Sequence, residues 1–109
     1  CFGHNAEFAW LLLHALDILN IDCKIYTDLF RTIYDHTVDN GIDWEYGGVY
    51  VEGPHSGGVY DKEKEFWQQA EVLIGLLDAY LLFNDKKFLN AYTNVHKFVF
   101  DVLWRVWMI

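Results

Sequence analysis

The chain reads as all-α: two helical hairpins, each an inner helix that is apolar almost all round followed by an outer helix with one apolar face, joined by a short β-hairpin excursion. Three observations predict this. The hydrophobic pattern runs buried, one-faced, buried, one-faced along the sequence. The two halves echo each other, since Ala6-Glu7 recurs as Ala70-Glu71 and Asn20 as Asn84 at the same offset. Between the halves lies a stretch with Gly41, Gly47, Gly48, Gly53, Gly57, Gly58 and the only proline, Pro54.

The first segment, Asn5 to Asn20, leaves only a narrow polar stripe through Glu7, His14 and Asp17, so it predicts an inner helix. From Asp22 to Asn40, Ile25, Tyr26, Leu29, Phe30, Ile33, Tyr34 and Val38 recur at helical spacing opposite Asp28, Arg31, Asp35 and Asp39. That is an outer helix, with Asn40-Gly41 as its stop. Val49-Tyr50-Val51 and Val59-Tyr60 flank Gly53-Pro54-His55-Ser56-Gly57, which predicts two short strands and a turn. The third segment, Lys64 to Asn84, is again apolar nearly all round, with a polar stripe of Gln68, Glu71 and Asp78. The fourth, Asp85 to Leu103, sets Phe88, Ala91, Tyr92, Val95, Phe98, Val99 and Val102 against Lys86, Asn90, Asn94, Lys97 and Asp101. It predicts a second outer helix.

Composition sets further bounds. A length of 109 residues allows one domain, yet 53% of residues are hydrophobic and 18% aromatic. So much apolar material predicts one partial domain over 1–109 with inner faces that another piece of protein covers, or that self-associate. The apolar run Trp104-Arg105-Val106-Trp107-Met108-Ile109 and the start at Cys1-Phe2 point the same way. The net charge of −8 comes with basic residues scattered singly or as Lys86-Lys87. No phosphate-binding stripe forms, which argues against nucleic acid. No apolar stretch is long enough to predict a membrane span, and no signal peptide is read, so a cytoplasmic location is expected. Cys1 and Cys23 form no metal spacing; a disulfide between them is conceivable, and a reduced intracellular pair is the preferred reading. Asp43 and Glu45 alone make no metal site, so no metal is expected.

Function concentrates where the inner helices begin. Gly3-His4-Asn5-Ala6-Glu7 and Glu65-Phe66-Trp67-Gln68-Gln69-Ala70-Glu71 each place ionisable and aromatic side chains at the N-terminal end of an apolar run. Two such helices side by side would collect His4, Glu7, Trp67 and Glu71 at one end of a core. A carboxylate near a helix start is also favoured by the helix dipole alone, by about 0.5 kcal/mol. Trp10 and Trp44 read as packing, and His14, His36, His55 and His96 as stripe or surface residues.

Gly3-His4-Asn5-Ala6-Glu7 with Trp10-Leu11-Leu12, then Trp44-Glu45-Tyr46-Gly47-Gly48-Val49-Tyr50, then Lys64-Glu65-Phe66-Trp67-Gln68-Gln69-Ala70-Glu71, resemble in that order the N-acylglucosamine 2-epimerase family, and within it the cellobiose 2-epimerases. The resemblance implies an (α/α)6 barrel of which this chain is similar to about the seventh to tenth helices. It implies an enzyme that takes the proton beside the carbonyl of an open-chain mono- or disaccharide and returns one, giving the 2-epimer or a ketose, without an organic cofactor. Such chemistry needs two acid/base groups, one for each face of a planar enediolate, and imidazole suits because it titrates near neutrality. The resemblance makes His4 one of them, Glu7 its orienting partner, Trp67 a ring that stacks on the sugar, and Glu71 a pocket residue. Gln69 is a further substrate-binding candidate.

Two features depart from the pattern. Phe66 stands where the family has the first of two tryptophans, and the run after Asp101 lacks the usual Asp-x-x-x-Gly-Glu-Trp, with Trp104 or Trp107 its only echo. No counterpart of the family's second catalytic histidine is found, so these residues alone are expected to be inactive. Two other classes remain open at this stage: a carbohydrate-binding module without turnover, and a helical scaffold that oligomerises through its apolar faces.

Overall fold

The computed structural model describes residues 1–103 and 105. Four helices make up its frame: α1 (Phe2–Ile18), α2 (Thr27–His36), α3 (Phe66–Phe83) and α4 (Lys86–Phe98). A 3-10 turn, Cys23–Tyr26, leads into α2, and π-type turns Thr37–Gly41 and Val99–Leu103 extend α2 and α4. Helices therefore form in the second and fourth segments, wound unevenly at their ends. Trp104 and Trp107 lie outside the described residues.

Helices α1 and α3 lie side by side and run parallel, because their cross-contacts rise together in number: Gly3 with Gln68, Trp10 with Glu71, His14 with Asp78. The seam between them is built from small residues. Gly3, Ala6 and Ala9 are buried on α1, and Gly75 and Ala79 on α3. A side chain on Gly3 would put its Cβ 2.5 Å from Gln68 Cγ, so glycine is what lets the helix starts meet.

Helix α2 packs on both α1 and α3, and α4 packs on α3. Their buried faces, Phe30 and Tyr34 on α2 and Phe88, Ala91, Val95 and Phe98 on α4, complete the core. Among the described residues the buried Tyr34 hydroxyl has no hydrogen-bond partner. Burial and the Asp78 charge push its phenol well above the usual range. Arg31 and Lys87 tie α2 to the start of α4 through Asp35, Asp39 and Asp85.

Asparagine ends both α1 and α3. After α1, Ile21 N–H reaches Leu16 O and Asn20 N–H reaches Asp17 O, with Asn20 left-handed at φ 57°. That is the 6→1 and 5→2 pairing of a Schellman end, in which asparagine is the residue after glycine best suited to the left-handed position. Asn84 closes α3 in the same conformation, its N–H on Tyr80 O. The repeated asparagine at one offset thus marks the same stop signal twice.

The two strands expected at 49–51 and 59–60 do not form. Among the described residues there are only two isolated antiparallel bridges, Ile42 with Val49 and Glu52 with Asp61. Around the first bridge the surroundings keep the pairing short. Val49 turns its free edge to a side chain, donating its N–H to Gln69 Oε1 at 2.8 Å and accepting from Gln69 Nε2 at 2.9 Å, so no strand can add there. Gly48, at φ +89° and packed on the Phe98 ring, bends the backbone where extension would continue. Among the described residues no helix is long and apolar enough to cross a membrane.

Candidate functional site

The parallel seam brings the two helix starts together. His4, in the first turn of α1, and Trp67, in the first turn of α3, have ring centroids 4.8 Å apart and planes inclined by 54°. Both side chains are exposed. The pair therefore offers an imidazole able to give or take a proton beside a flat apolar surface on which a sugar face can stack. Glu7 lies one turn after His4 and is half-buried. Among the described residues its carboxylate makes no hydrogen bond, to His4 or to any other group.

Further along the seam come two more polar rungs. Trp10 Nε1–H donates to Glu71 Oε2 at 2.6 Å, which leaves Oε1 of that carboxylate for other partners. His14 Nε2 stands 3.0 Å from Asp78 Oδ2 and meets the Trp10 ring edge-on at 5.5 Å. Trp10, expected as packing, is thus the partner of a site candidate. A signal for the second rung was present in the chain, because 14 and 78 differ by the same offset as Glu7 and Glu71.

Gln69 does not face this surface. It is fully buried, and both its donors and its acceptor are used: Nε2 donates to Val49 O and to Glu65 O at 3.1 Å, and Oε1 accepts from Val49 N–H. Its place in the fold is to clamp the 42–50 loop onto α3. That correction follows from burial, since a side chain with no exposed polar atom and no free donor has nothing to offer a sugar hydroxyl.

The same loop is fastened at a second point. Asp43 Oδ1 accepts the N–H groups of Glu45 and Tyr46, and Oδ2 accepts from Lys64 Nζ at 2.6 Å. Burial alone would raise this carboxyl, but the Lys64 ammonium and the two N–H groups outweigh it and hold it down at about 2. Lys64 also lies over the Phe98 ring at 4.9 Å, and Asn94 grips the loop from α4 through Gly48 N–H and Asp43 O.

Two clefts open elsewhere. One of about 430 Å³ lies at the far end of α1, lined by Leu13, His14, Asp17 and Cys23. Another of about 270 Å³ lies beside Trp44, Tyr46 and Asn94. Neither includes His4, Glu7 or Trp67, whose paired rings are themselves exposed. Among the described residues no group of three or more His, Cys, Asp or Glu side chains could hold a metal ion.

Comparison with known proteins adds to this geometry. The chain is 30% identical to a cellobiose 2-epimerase of Dictyoglomus turgidum over 104 residues, covering 94% of this chain and 26% of that protein. It is 24% identical to a cellobiose 2-epimerase of Ruminococcus albus over 110 residues, covering 92% and 26%. The chain thus spans about a quarter of the length of these relatives. The profile of the N-acylglucosamine 2-epimerase (GlcNAc 2-epimerase) family matches residues 2–105. With nearly the whole sequence inside that match, the chain belongs to the N-acylglucosamine 2-epimerase family.

Proposed function

We propose that this chain is the part of a sugar 2-epimerase, cellobiose 2-epimerase-like, that supplies one acid/base group and one sugar-stacking ring. The observation that carries the reading is the 4.8 Å approach of the His4 imidazole to the Trp67 indole, made by residues from two separate helices. In this reading the four helices are two inner–outer hairpins of an (α/α)6 barrel, about its seventh to tenth helices.

The substrate is an open-chain mono- or disaccharide aldose. Stacking on Trp67 would place one face of the sugar chain toward His4. The neutral imidazole removes the proton at C2, whose bonding electrons pass into the adjacent carbonyl and give an enediolate. The imidazolium so formed can return a proton only to the face it came from. Epimerisation therefore needs a second group on the opposite face. Three of the other four histidines have partners of their own, His14 with Asp78, His36 against Phe2 at 5.6 Å and His96 between Tyr92 and Phe100, and the fourth, His55, is exposed in a turn. The second group is assigned to protein beyond these residues, as the family resemblance implies, and the isolated segment is proposed to be inactive. No organic cofactor is required, because the carbonyl itself activates the C–H bond. Glu7 is assigned to orienting His4 when sugar is bound, and Glu71 to a sugar hydroxyl through Oε1.

The test uses the full-length protein that contains this chain, incubated with cellobiose or mannose in deuterated water while C2 is followed by NMR. Deuterium should enter at C2 with the wild type and not with His4→Ala. Absence of exchange for every aldose tried would end the epimerase reading, and exchange retained by His4→Ala would remove His4 from the chemistry.

A further inference from the structure

Glu65 is the residue just before α3, with extended backbone at φ −83° and ψ 139°. Its groups hold three consecutive side chains of the next turn. Carboxylate oxygen Oε2 accepts the Trp67 indole N–H at 2.6 Å and the Gln68 Nε2–H at 3.2 Å, while its backbone oxygen accepts from Gln69 Nε2. Gln68 is itself buried, and its Oε1 accepts Gly3 N–H at 3.0 Å and the Cys1 thiol at 3.3 Å. A continuous hydrogen-bonded path thus runs from the residue next to His4, through Gln68, to one carboxylate oxygen, and on to the Trp67 ring.

We propose that Glu65 is a positioning residue that fixes the tilt and separation of the Trp67 ring relative to His4. This rests on the reading of His4 and Trp67 as acid/base group and sugar platform. The physical case has three parts. Trp67 is 39% exposed, so packing alone does not lock its two side-chain torsions. A hydrogen bond to an ionised acceptor is the strongest restraint available to an indole N–H, which can donate to one partner only. The same oxygen is tied through buried Gln68 to the start of α1, so the ring is referenced to the helix that carries His4 and not only to its own. In this proposal Glu65 acts on the chemistry through Trp67.

The experiment compares Glu65→Ala and Glu65→Gln in the full-length protein, with Trp67→Phe used to assign the Trp67 indole resonance in a ¹⁵N–¹H spectrum. In Glu65→Ala the indole proton should move upfield and exchange with water about ten-fold faster. KM for the aldose should rise about ten-fold, the change that losing one charge-assisted restraint on a stacking ring would give. Glu65→Gln keeps an acceptor oxygen in place and should recover most of the KM. Mere loss of folded protein would lower kcat alone and leave KM and the indole shift as in wild type. If Glu65→Ala leaves both the indole resonance and KM unchanged, the positioning role is overturned. A wild type that exchanges no deuterium at C2 would sink the epimerase reading instead, while the indole resonance still decides whether Glu65 holds Trp67.

Discussion

Replacing Gln69 by Leu tests the central joint of the fold. The side chain is fully buried, as is Val49, whose N–H and C=O it satisfies at 2.8 and 2.9 Å. Leucine fills a similar volume, so little cavity is left, but two backbone groups lose their partners inside the protein. Each such group costs about 1–3 kcal/mol, and partial relaxation of the loop brings the sum to about 2–4 kcal/mol. A domain of this size is stable by about 5–15 kcal/mol, so a large share of the margin would go. With a urea slope of about 1–3 kcal/mol per molar, the unfolding midpoint should fall by about 1–2 M. Circular dichroism during urea unfolding reads the midpoint, and hydrogen exchange reads the Val49 amide directly. A midpoint shift below about 0.5 M, with the Val49 amide as protected as before, would refute the reasoning, because some other group would then be holding the loop.

Two further outcomes follow from the same coordinates. The Asp43 carboxyl sits at about 2, below its ordinary 3.8, so it binds fewer protons folded than unfolded through that interval. Its contribution is therefore complete above about pH 4 and disappears as the pH falls toward 2; Asp43→Asn should lose about 1–2 kcal/mol at pH 7, after allowance for solvent screening, and match the wild type near pH 2 in acid-denaturation curves. Gly3→Ala gains at most about 1 kcal/mol of helix propensity, against a clash at 2.5–2.8 Å with Gln68 atoms that overpacking costs of about 1–3 kcal/mol describe. It should lower the thermal midpoint, and a raised midpoint would show that the helix starts separate without penalty.

The helices were legible because their signal is periodic and local. Apolar side chains at 66, 67, 70, 72 to 74, 76 and 77 predict a helix whatever surrounds them, and Asn20 and Asn84 announce its end. The excursion was less legible. Alternating Val and Tyr around a Gly-Pro turn has the look of a hairpin, but a strand needs a free edge, and Gln69 occupies the edge of Val49. A glutamine inside an apolar helix gives no hint of which backbone it will satisfy. The site shows the same limit. His4 and Trp67 stood out through the resemblance of their motifs, whereas Trp10 with Glu71, and Glu65 with Trp67, depend on side-chain directions that spacing does not encode. His14 was read only as a stripe or surface residue, although its pairing with Asp78 joins two positions separated by the repeat offset.

The way α1 and α3 divide their residues by size bears on how the segment is used. Small residues, Gly3, Ala6, Ala9, Gly75 and Ala79, fill the seam between the two helices. Of the larger apolar ones, Phe2, Leu16, Val72 and Leu76 are buried in the core, while others are turned outward, with Phe8 53%, Leu11 48%, Leu77 43% and Leu81 72% exposed. The total accessible surface, 6698 Å² for 12.9 kDa, lies close to the roughly 6300 Å² of an ordinary monomer of that mass. Its extent is thus that of an ordinary monomer. A domain folding for itself would place its leucines and phenylalanines at the seam, where each buried one contributes about 1.5–3 kcal/mol. Putting alanine and glycine there instead brings the backbones close, aligns His4 with Trp67, and leaves several bulky side chains exposed. In the proposed barrel those outward faces are where neighbouring inner helices pack, so the arrangement that exposes leucine here is the same one that sets the distance between the imidazole and the indole.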